Sequence, residues 1–387
     1  MNTVMIVSGE SSGELYGSLL ATALKTKCPD TRIIGIGGER MKAAGVEMVS
    51  GIASSFGISE ALAAYKAVKA TFKKAVDALE RFSPSVVVLI DYPDFNIRLA
   101  KAAKKKGIKV LYYVSPQVWA WRKGRVRTIA EASDRIAVIL PFEEELYRGA
   151  GVQCEFVGHP VLEEIESMTE DKAGLRKTFG LDTDSPVIAL LPGSRPHELK
   201  SLLPVMIDVV RDFKAEFPDY NCRFIMPFAP NADMDKYQNY IGILRDEGVT
   251  VKKENAVKAL SVADMAVIAS GTATLQAAFL ETPMVVVYKL SPLSYFIGRL
   301  LVNVKYISLI NLVSGREVVK ELLQSQAGAK NILRELKKIM LNKDYREQMI
   351  NRFRAAKEMF RGRRPSERVA EMASDLSAEP AQAGMTV

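Results

Sequence analysis

Two carboxylates follow an uninterrupted apolar run and are the first candidates for chemistry. The run Val86–Ile90 leads directly into Asp91, and Asp94 stands three positions further on. A short continuous apolar segment is typical of a strand buried on both faces of a parallel sheet, and such sheets bind ligands at the carboxyl ends of their strands. Asp91 is therefore placed where a general base can act. The alternative is a turn or capping aspartate, which is common after a strand.

A second polar loop, residues 8–14, follows the opening apolar run and precedes a helical pattern that begins near Leu15. Its glycines permit close approach of the backbone, and the start of the helix offers free N–H groups, so sugar hydroxyls or an anion can dock there. The loop is not the Gly-x-Gly-x-x-Gly dinucleotide fingerprint. It is not a P-loop either, because the chain contains no Gly-Lys pair.

Two further loops follow apolar runs in the second half of the chain. Residues 191–198 place Arg195 directly after a Gly-Ser turn, where its planar guanidinium can bind a diphosphate. Residues 269–276 join a strand-like run to a helical pattern through Gly271, and the first N–H groups of that helix can also hold phosphate. Serine and threonine serve as ordinary helix caps as well, but the two loops together favour a nucleoside diphosphate site.

Short apolar runs alternate with amphipathic stretches twice along the chain, which predicts βαβ units and parallel sheets. The predicted strands are residues 4–8, 33–36, 86–90, 109–113, 135–139, 187–191, 222–226, 265–269 and 283–287. Because 387 residues exceed one hydrophobic core, we expect an α/β protein with two doubly wound, Rossmann-like domains facing a cleft. The expected segments are the two domains, residues 1–165 and 166–345, then C-terminal helices over 346–376 and a disordered tail over 377–387.

Composition argues against several classes of protein. Three cysteines and two histidines are too few for a disulfide framework or a Cys- or His-rich metal site. The start of the chain lacks a signal peptide pattern and no apolar stretch of spanning length occurs, so we expect a cytoplasmic protein or one bound only to a membrane surface. The net charge is +8, and many of the lysines and arginines fall in the first third. This pattern suggests an anionic partner for the N-terminal half, and both nucleic acid and anionic lipid fit. The alternative for each single cluster is an ordinary solvated helix face.

One predicted helix combines an apolar stripe with lysines. Over residues 60–81 apolar residues recur every three or four positions, and the remaining surface carries Lys66, Lys69, Lys73 and Lys74. A basic amphipathic helix can lie in the headgroup region of an anionic membrane. The alternative is an ordinary helix whose stripe packs on the sheet of its own domain.

Taken in order, these segments closely resemble the lipid-A-disaccharide synthase family. The matching segments are residues 8–14, 90–96 (Ile-Asp-Tyr-Pro-Asp-Phe-Asn), 113–122 (Tyr-Val-Ser-Pro-Gln-Val-Trp-Ala-Trp-Arg), 191–195, 269–272 and 311–317 (Asn-Leu-Val-Ser-Gly-Arg-Glu). The resemblance runs from about residue 4 to residue 323. It implies an inverting GT-B glycosyltransferase that joins UDP-2,3-diacylglucosamine to 2,3-diacylglucosamine 1-phosphate. The products are the β-1,6-linked disaccharide 1-phosphate of lipid A and UDP.

The resemblance also implies roles for particular residues. In the N-terminal acceptor domain Asp91 is the catalytic base and Glu10 is a second catalytic-site residue. Asp94 is expected to be structural on separate grounds, because a residue three positions further on, after Pro93, need not face the cleft. The residues implied in binding the donor, most of them in the C-terminal domain, are Ser194, Arg195, Ser270, Gly271, Thr272, Gln276, Asn311 and Arg316. Acceptor or loop contacts are implied for Ser11, Ser12, Trp119 and Trp121.

The same resemblance implies no cofactor and no metal. The implied partners are the two lipid substrates and the inner membrane of a Gram-negative bacterium, on which the protein is expected to be peripheral. No nucleic acid is implied, and a homodimer is left open.

Two positions depart from the family pattern, which usually has Asp where Glu14 stands and Glu where Gln276 stands. Gln can accept a hydrogen bond from a ribose hydroxyl, as a neutral and weaker partner, so the ribose assignment of Gln276 is open. Two other classes of function are weighed against the resemblance. A UDP-sugar epimerase on the same scaffold would need a histidine or further carboxylates at the site. A non-catalytic nucleic-acid-binding protein would lose its binding steeply with salt.

Overall fold

The computed structural model describes residues 2–51, 61–116, 124–182, 185–230, 232–290 and 305–379, with only the backbone described for residues 11 and 61–64. The chain divides into two compact units. The first runs from the beginning of the chain to Pro160 and includes the C-terminal segment from Gly362, and the second is Val161–Arg361. The boundary therefore lies at Pro160 rather than near residue 165, and the chain returns to the first unit near its end.

The first unit is built on a parallel sheet with helices between its strands. The strands are β1 (Thr3–Ser8), β2 (Arg32–Gly37), β3 (Glu47–Gly51), β4 (Val86–Ile90), β5 (Lys109–Tyr113), β6 (Arg135–Val138) and β7 (Gln153–Phe156). The helices are α1 (Ser11–Lys27), α2 (Glu39–Ala43), α3 (Ala61–Phe82), α4 (Pro93–Lys105), α5 (Gly124–Ala132) and α6 (Glu143–Arg148). The strand order is β3-β2-β1-β4-β5-β6-β7. Every residue of β4 and β5 is buried, as expected of strands covered on both faces.

The second unit repeats this plan. Its strands are β8 (Val187–Leu191), β9 (Arg223–Phe228), β10 (Val249–Lys253), β11 (Met265–Ala269), β12 (Met284–Tyr288) and β13 (Glu321–Leu323), in the order β10-β9-β8-β11-β12-β13. Its α-helices are α7 (Val161–Glu166), α8 (Lys172–Thr178), α9 (Pro196–Glu216), α10 (Gln238–Asp246), α11 (Ala256–Val262), α12 (Ala273–Phe279), α13 (Leu309–Ser314), α14 (Ala329–Leu341) and α15 (Lys343–Glu358). Short 3-10 turns cover Met234–Tyr237 and Gln324–Gln326.

Each sheet begins in its middle and grows outward in both directions. β1 lies between β2 and β4, and β8 lies between β9 and β11. The registers pair Ser8 with Ile90 and Leu191 with Ile268. The loops that follow β1 and β4 therefore leave the first sheet side by side, and so do the loops after β8 and β11 in the second. Open α/β sheets bind ligands at such a switch point.

The last helix, α16 (Pro365–Ala378), packs on α1 of the first unit. Glu371 pairs with Lys27 at 2.6 Å, and Glu379 pairs with Lys109 at 2.9 Å. The prediction of a disordered tail from residue 377 is therefore wrong for residues 377–379. They are ordered because the buried face of α16 continues to Leu376 and the charged end is tied to β5.

All nine strands predicted from the sequence are present, with bounds that differ by at most two residues. Strands β3, β7, β10 and β13 were not predicted from the sequence. These four are the outermost strands of the two sheets. None of the described helices combines the length and the hydropathy needed to cross a bilayer.

Candidate functional site

The switch point of the first sheet brings together the predicted carboxylates. Asp91 directly follows β4 and is half-buried, whereas Glu10 is exposed at the start of α1. Because β1 and β4 are neighbours in register, both residues lie at the same edge of the sheet. Burial raises the pKa of Tyr92, and the charges of Glu10 and Asp94 raise it further.

The ring of Tyr92 covers the loop that follows β1. A Cβ atom added to Gly9 would lie 2.3 Å from this ring, so no larger residue fits without displacing Tyr92. The ring also stacks on Phe95, with the two ring centroids 5.1 Å apart. Gly9 is therefore required by the close packing of two loops at the switch point.

The backbone of Asp91 and Tyr92 is strained. Both residues are left-handed, with φ angles of 47° and 48°. For a residue other than glycine this conformation costs roughly 1–2 kcal/mol. The Asp91 amide N–H donates to the carbonyl oxygen of Val114 at 3.1 Å. The Asp91 carbonyl oxygen accepts from the Tyr112 hydroxyl at 2.9 Å and from Asn96 Nδ2 at 2.8 Å. The turn persists because the surrounding structure fixes it from several sides.

Two further acidic residues near this edge have structural partners. Asp94 lies in the first turn of α4, where a carboxylate interacts favourably with the helix N-terminus, and it pairs with Arg125 at 2.6 Å. Glu14 Oε1 accepts from the backbone N–H of Arg40 at 2.8 Å and lies against Gly38. The Glu14 side chain therefore spans from α1 to the loop after β2, a distance for which its additional methylene is useful.

The switch point of the second sheet brings together the predicted phosphate loops. Ser194 and Arg195 are exposed between β8 and α9, and residues 270–272 follow β11. Buried Glu198 shapes the first loop, because its Oε2 accepts from the N–H groups of Ser194 at 3.0 Å and Arg195 at 3.1 Å. Gly193 has a φ of 98°, and a Cβ added there would lie 2.2 Å from Glu198 Oε2. This loop therefore requires glycine.

The loop after β11 has open space beside its glycine. A Cβ added to Gly271 would meet no atom within 4 Å among the described residues. Ser270 Oγ donates to the carbonyl oxygen of Ile307 at 2.8 Å, which ties this loop to the start of α13. Thr272 immediately precedes α12 and is half-buried. Ser270, Gly271 and Thr272 thus form a fixed loop with an open side.

Gln276 is buried, and its amide is held by a carboxylate. Its Nε2 donates to Glu164 Oε2 at 2.7 Å, and Glu164 Oε1 accepts from Asn255 Nδ2 at 2.8 Å. Since an ionised carboxylate only accepts, the NH₂ group of Gln276 must face Glu164. A glutamate at position 276, the usual family residue, would set two carboxylates against each other. Gln276 is thus matched to Glu164, a residue that no sequence pattern singled out. The contact of Gln276 with a ribose stays a prediction.

Asn311 is fully buried and supports the loop that carries exposed Arg316. Its Oδ1 accepts from the N–H groups of Val318 at 2.7 Å and Val319 at 3.0 Å. Its Nδ2 donates to the Val319 carbonyl at 2.9 Å and to Glu321 Oε1 at 2.8 Å. The polar atoms of the amide are thus occupied within the loop. Asn311 thereby supports the loop that carries Arg316, and its predicted contact with the donor stays a prediction.

The remaining predicted residues are less informative. Ser12 lies half-buried in the first turn of α1, Ser11 is described only by its backbone, and Trp119 and Trp121 lie outside the described residues.

His159 is buried, and desolvation lowers its pKa to about 3, so it is neutral near pH 7. Within the described parts of the chain, no three potential metal-binding side chains come together.

Similar solved structures define the class of protein. A UDP-GlcNAc 2-epimerase from Neisseria meningitidis, solved with UDP-GlcNAc, aligns with a TM-score of 0.69 at 13% identity, over 97% of this chain and all of that chain (100%). A glycosyltransferase from Rickettsia africae ESF-5 aligns with a TM-score of 0.58 at 10% identity, over 98% of this chain and 99% of that one. At such identities the likeness shows the fold alone. The fold is that of GT-B glycosyltransferases and related epimerases, with two Rossmann-like domains.

Sequence comparison then defines the family. The family model described as lipid-A-disaccharide synthetase matches residues 4–373. A lipid-A-disaccharide synthase of Syntrophus aciditrophicus (strain SB) is 43% identical over 89% of this chain and 90% of the relative. Another, from Myxococcus xanthus (strain DK1622), is 40% identical over 90% of both proteins. The chain belongs to the lipid-A-disaccharide synthase family and is a glycosyltransferase of lipid A biosynthesis.

We expect Gln276→Glu to lower the free energy of unfolding by about 2–4 kcal/mol, because two carboxylates would share a buried position that now holds one. The loss should shrink in the Glu164→Gln/Gln276→Glu double variant, in which carboxylate and amide are exchanged. Urea denaturation followed by circular dichroism measures both. Gln326→Glu, at an exposed position of the same unit, serves as the control and should change stability by less than about 0.5 kcal/mol. Equal losses in the single and double variants would contradict the pairing.

Proposed function

We propose that this chain transfers 2,3-diacylglucosamine from UDP to the 6-hydroxyl of 2,3-diacylglucosamine 1-phosphate with inversion. The product is the β-1,6-linked disaccharide 1-phosphate, and UDP is released. The observation that carries the proposal is the pair of switch points, one with a carboxylate and the other with an arginine on a phosphate-type loop. Inversion in a single displacement needs a base for the acceptor and a positive or dipolar site for the leaving diphosphate. Membership of the family supplies the reaction class.

In the proposed reaction Asp91 takes the proton of the acceptor hydroxyl as its oxygen attacks the anomeric carbon. The bond between that carbon and the diphosphate oxygen breaks, and its electron pair leaves with UDP. Arg195 meets the developing charge with a planar guanidinium. Ser194, the loop 270–272 and Arg316 complete the donor site, and Glu10 is a second carboxylate at the acceptor edge. Side chains and backbone supply every step, so the proposed reaction needs no cofactor.

Asp91→Asn tests the base. The variant keeps the shape of the side chain and loses its ability to accept a proton, so turnover should fall by about 100- to 10,000-fold. UDP binding and the melting temperature should stay near the wild-type values. Turnover is measured by mass analysis of the disaccharide 1-phosphate formed from the two lipid substrates. Turnover within threefold of wild type would exclude Asp91 as the base.

Arg195→Ala tests the diphosphate site. Only the donor carries a diphosphate, so the variant should raise the KM for the UDP-sugar about tenfold or more while changing the KM for the acceptor by less than threefold. Isothermal titration with UDP should show the same loss of affinity. Arg334→Ala, an exposed arginine of the same unit, should change neither value. Equal effects of Arg195→Ala on both substrates would count against the assignment.

We also propose that the enzyme lies on the inner membrane of a Gram-negative bacterium and contacts it through α3. Packing within the unit accounts for part of this helix, and the membrane contact is proposed for the rest. The C-terminal half packs on its own unit, since Ala75 and Leu79 are buried and Phe72 contacts Phe95 at 5.4 Å between ring centroids. In the N-terminal half Tyr65 is 63% exposed. Lys66 and Lys69 in the same half, and Lys73 and Lys74 just beyond the middle of the helix, are exposed as well. An exposed aromatic ring among lysines suits an anionic lipid surface.

Replacing Lys66, Lys69, Lys73 and Lys74 with Gln should weaken binding to anionic vesicles by roughly 100-fold or more, since each lysine near the surface contributes about 1 kcal/mol. Vesicle sedimentation measures binding, and thermal melting should be unchanged. The matched control replaces four exposed lysines of the second unit, Lys172, Lys177, Lys200 and Lys330. If both variants bind vesicles as well as the wild type, α3 is an ordinary packing element.

A further inference from the structure

Two buried side chains with no chemical part in the proposed reaction converge on the backbone of Asp91. We propose that Asn96 and Tyr112 are positioning residues, which hold the left-handed turn from which the Asp91 carboxylate projects. The inference rests on the proposed function, in which Asp91 is the base. It adds that the orientation of this base is set by two neutral hydrogen-bond donors on separate elements.

Asn96 and Tyr112 both donate a hydrogen bond to the same backbone atom. The Asp91 carbonyl oxygen accepts from Asn96 Nδ2 at 2.8 Å and from the Tyr112 hydroxyl at 2.9 Å. Asn96 lies in the first turn of α4, Tyr112 lies on β5, and both are fully buried (0% exposed). Asn96 Nδ2 also reaches the Ile90 carbonyl at 3.2 Å. The two donors therefore define where the peptide group after Asp91 points.

The direction of this peptide group decides where the carboxylate lies. Asp91 and Tyr92 have φ angles of 47° and 48°, a conformation that residues with a side chain rarely adopt. Without a donor on the Asp91 carbonyl, the turn can relax toward the ordinary region of the backbone map. Such a change rotates Cβ and moves the carboxylate relative to an acceptor hydroxyl. Misplacement of a catalytic group by about 1 Å can cost about 100-fold in rate.

A contribution to stability alone does not explain why an asparagine occupies the buried position 96. Its Oδ1 is buried and has no hydrogen-bond partner among the described residues. An orphaned buried acceptor is unfavourable, and a native structure keeps such a group where another requirement is met. The requirement visible here is donation to the strained turn. Strained backbone and costly polar groups gather at functional sites for this reason.

Tyr112→Phe and Asn96→Ala each remove one donor. We expect kcat to fall about 10- to 100-fold in each, with both KM values and the Kd for UDP within threefold of wild type. The pH profile of kcat should shift as well, because the surroundings of the base change. Tyr147→Phe is the matched control, since it removes a buried hydroxyl that bonds to Ser115 in the same unit. Its kcat should stay within threefold of wild type.

The decisive measurement places Tyr112→Phe in the Asp91→Asn background. A residue that acts through Asp91 has nothing left to position there, so residual turnover should equal that of Asp91→Asn alone. A further tenfold loss would show a general structural effect and overturn the proposal. So would kcat within threefold of wild type for Tyr112→Phe. If Asn96→Ala does not fold, Tyr112→Phe decides alone. The proposed function is tested separately, because it fails if the wild-type enzyme forms no disaccharide 1-phosphate from the two lipid substrates, and Asp91 fails as its base if Asp91→Asn remains active.

Discussion

The reversal of strand order at the first strand of each sheet is the constraint on which the site depends. Crossovers between parallel strands are right-handed, so a sheet that grows outward from a central strand in two directions places the helices of its two halves on opposite faces. At the reversal two neighbouring loops diverge and leave the strand ends accessible. Glu10 and Asp91 lie at the reversal between β1 and β4. Arg195 and Gly271 lie at the one between β8 and β11.

The residues at these strand ends are held at a cost to local stability. Asp91 is left-handed in a turn fixed by Tyr112 and Asn96, and Asn96 keeps an orphaned oxygen. In the other unit, the carboxylate of Glu164 is buried beneath the loop after β11 and is satisfied by amides. Each arrangement is less favourable than apolar packing of the same volume. The fully buried strands on either side supply the hydrophobic stabilisation that allows such groups to persist.

The C-terminal helix belongs to the first unit, although it follows the second unit in the chain. α16 packs on α1, whose first turn follows Glu10, and the ion pair between Lys27 and Glu371 joins the two helices. Arg368 also binds Glu155 on the outermost strand β7 through two hydrogen bonds of 2.7 and 2.8 Å. The end of the chain thus binds the outermost strand β7 and packs on the helix that begins beside Glu10.

Whether a feature could be predicted from the sequence depends on how far apart in the chain its interacting residues lie. The inner strands were predictable because burial on both faces requires continuous apolar runs, as in Val86–Ile90. The outermost strands were missed because exposure interrupts such runs, as in Gln153–Phe156 and Val249–Lys253. The loops at the switch points were predictable because polar residues and glycines follow those runs directly.

The hydrogen-bond partners of the site residues could not be predicted from the sequence, because each pair joins positions that are far apart in the chain. Glu164 meets Gln276 across 112 residues of chain, and Tyr112 meets Asp91 across 21. Local patterns carry no signal for such pairs, and even the unusual Gln276 had no visible explanation until its buried partner was known. The same limit applies to Asn311, whose four hydrogen bonds to the loop that carries Arg316 are not visible in the sequence. Motifs therefore identified the loops of this enzyme, whereas tertiary packing decides which of their residues are free to meet a substrate.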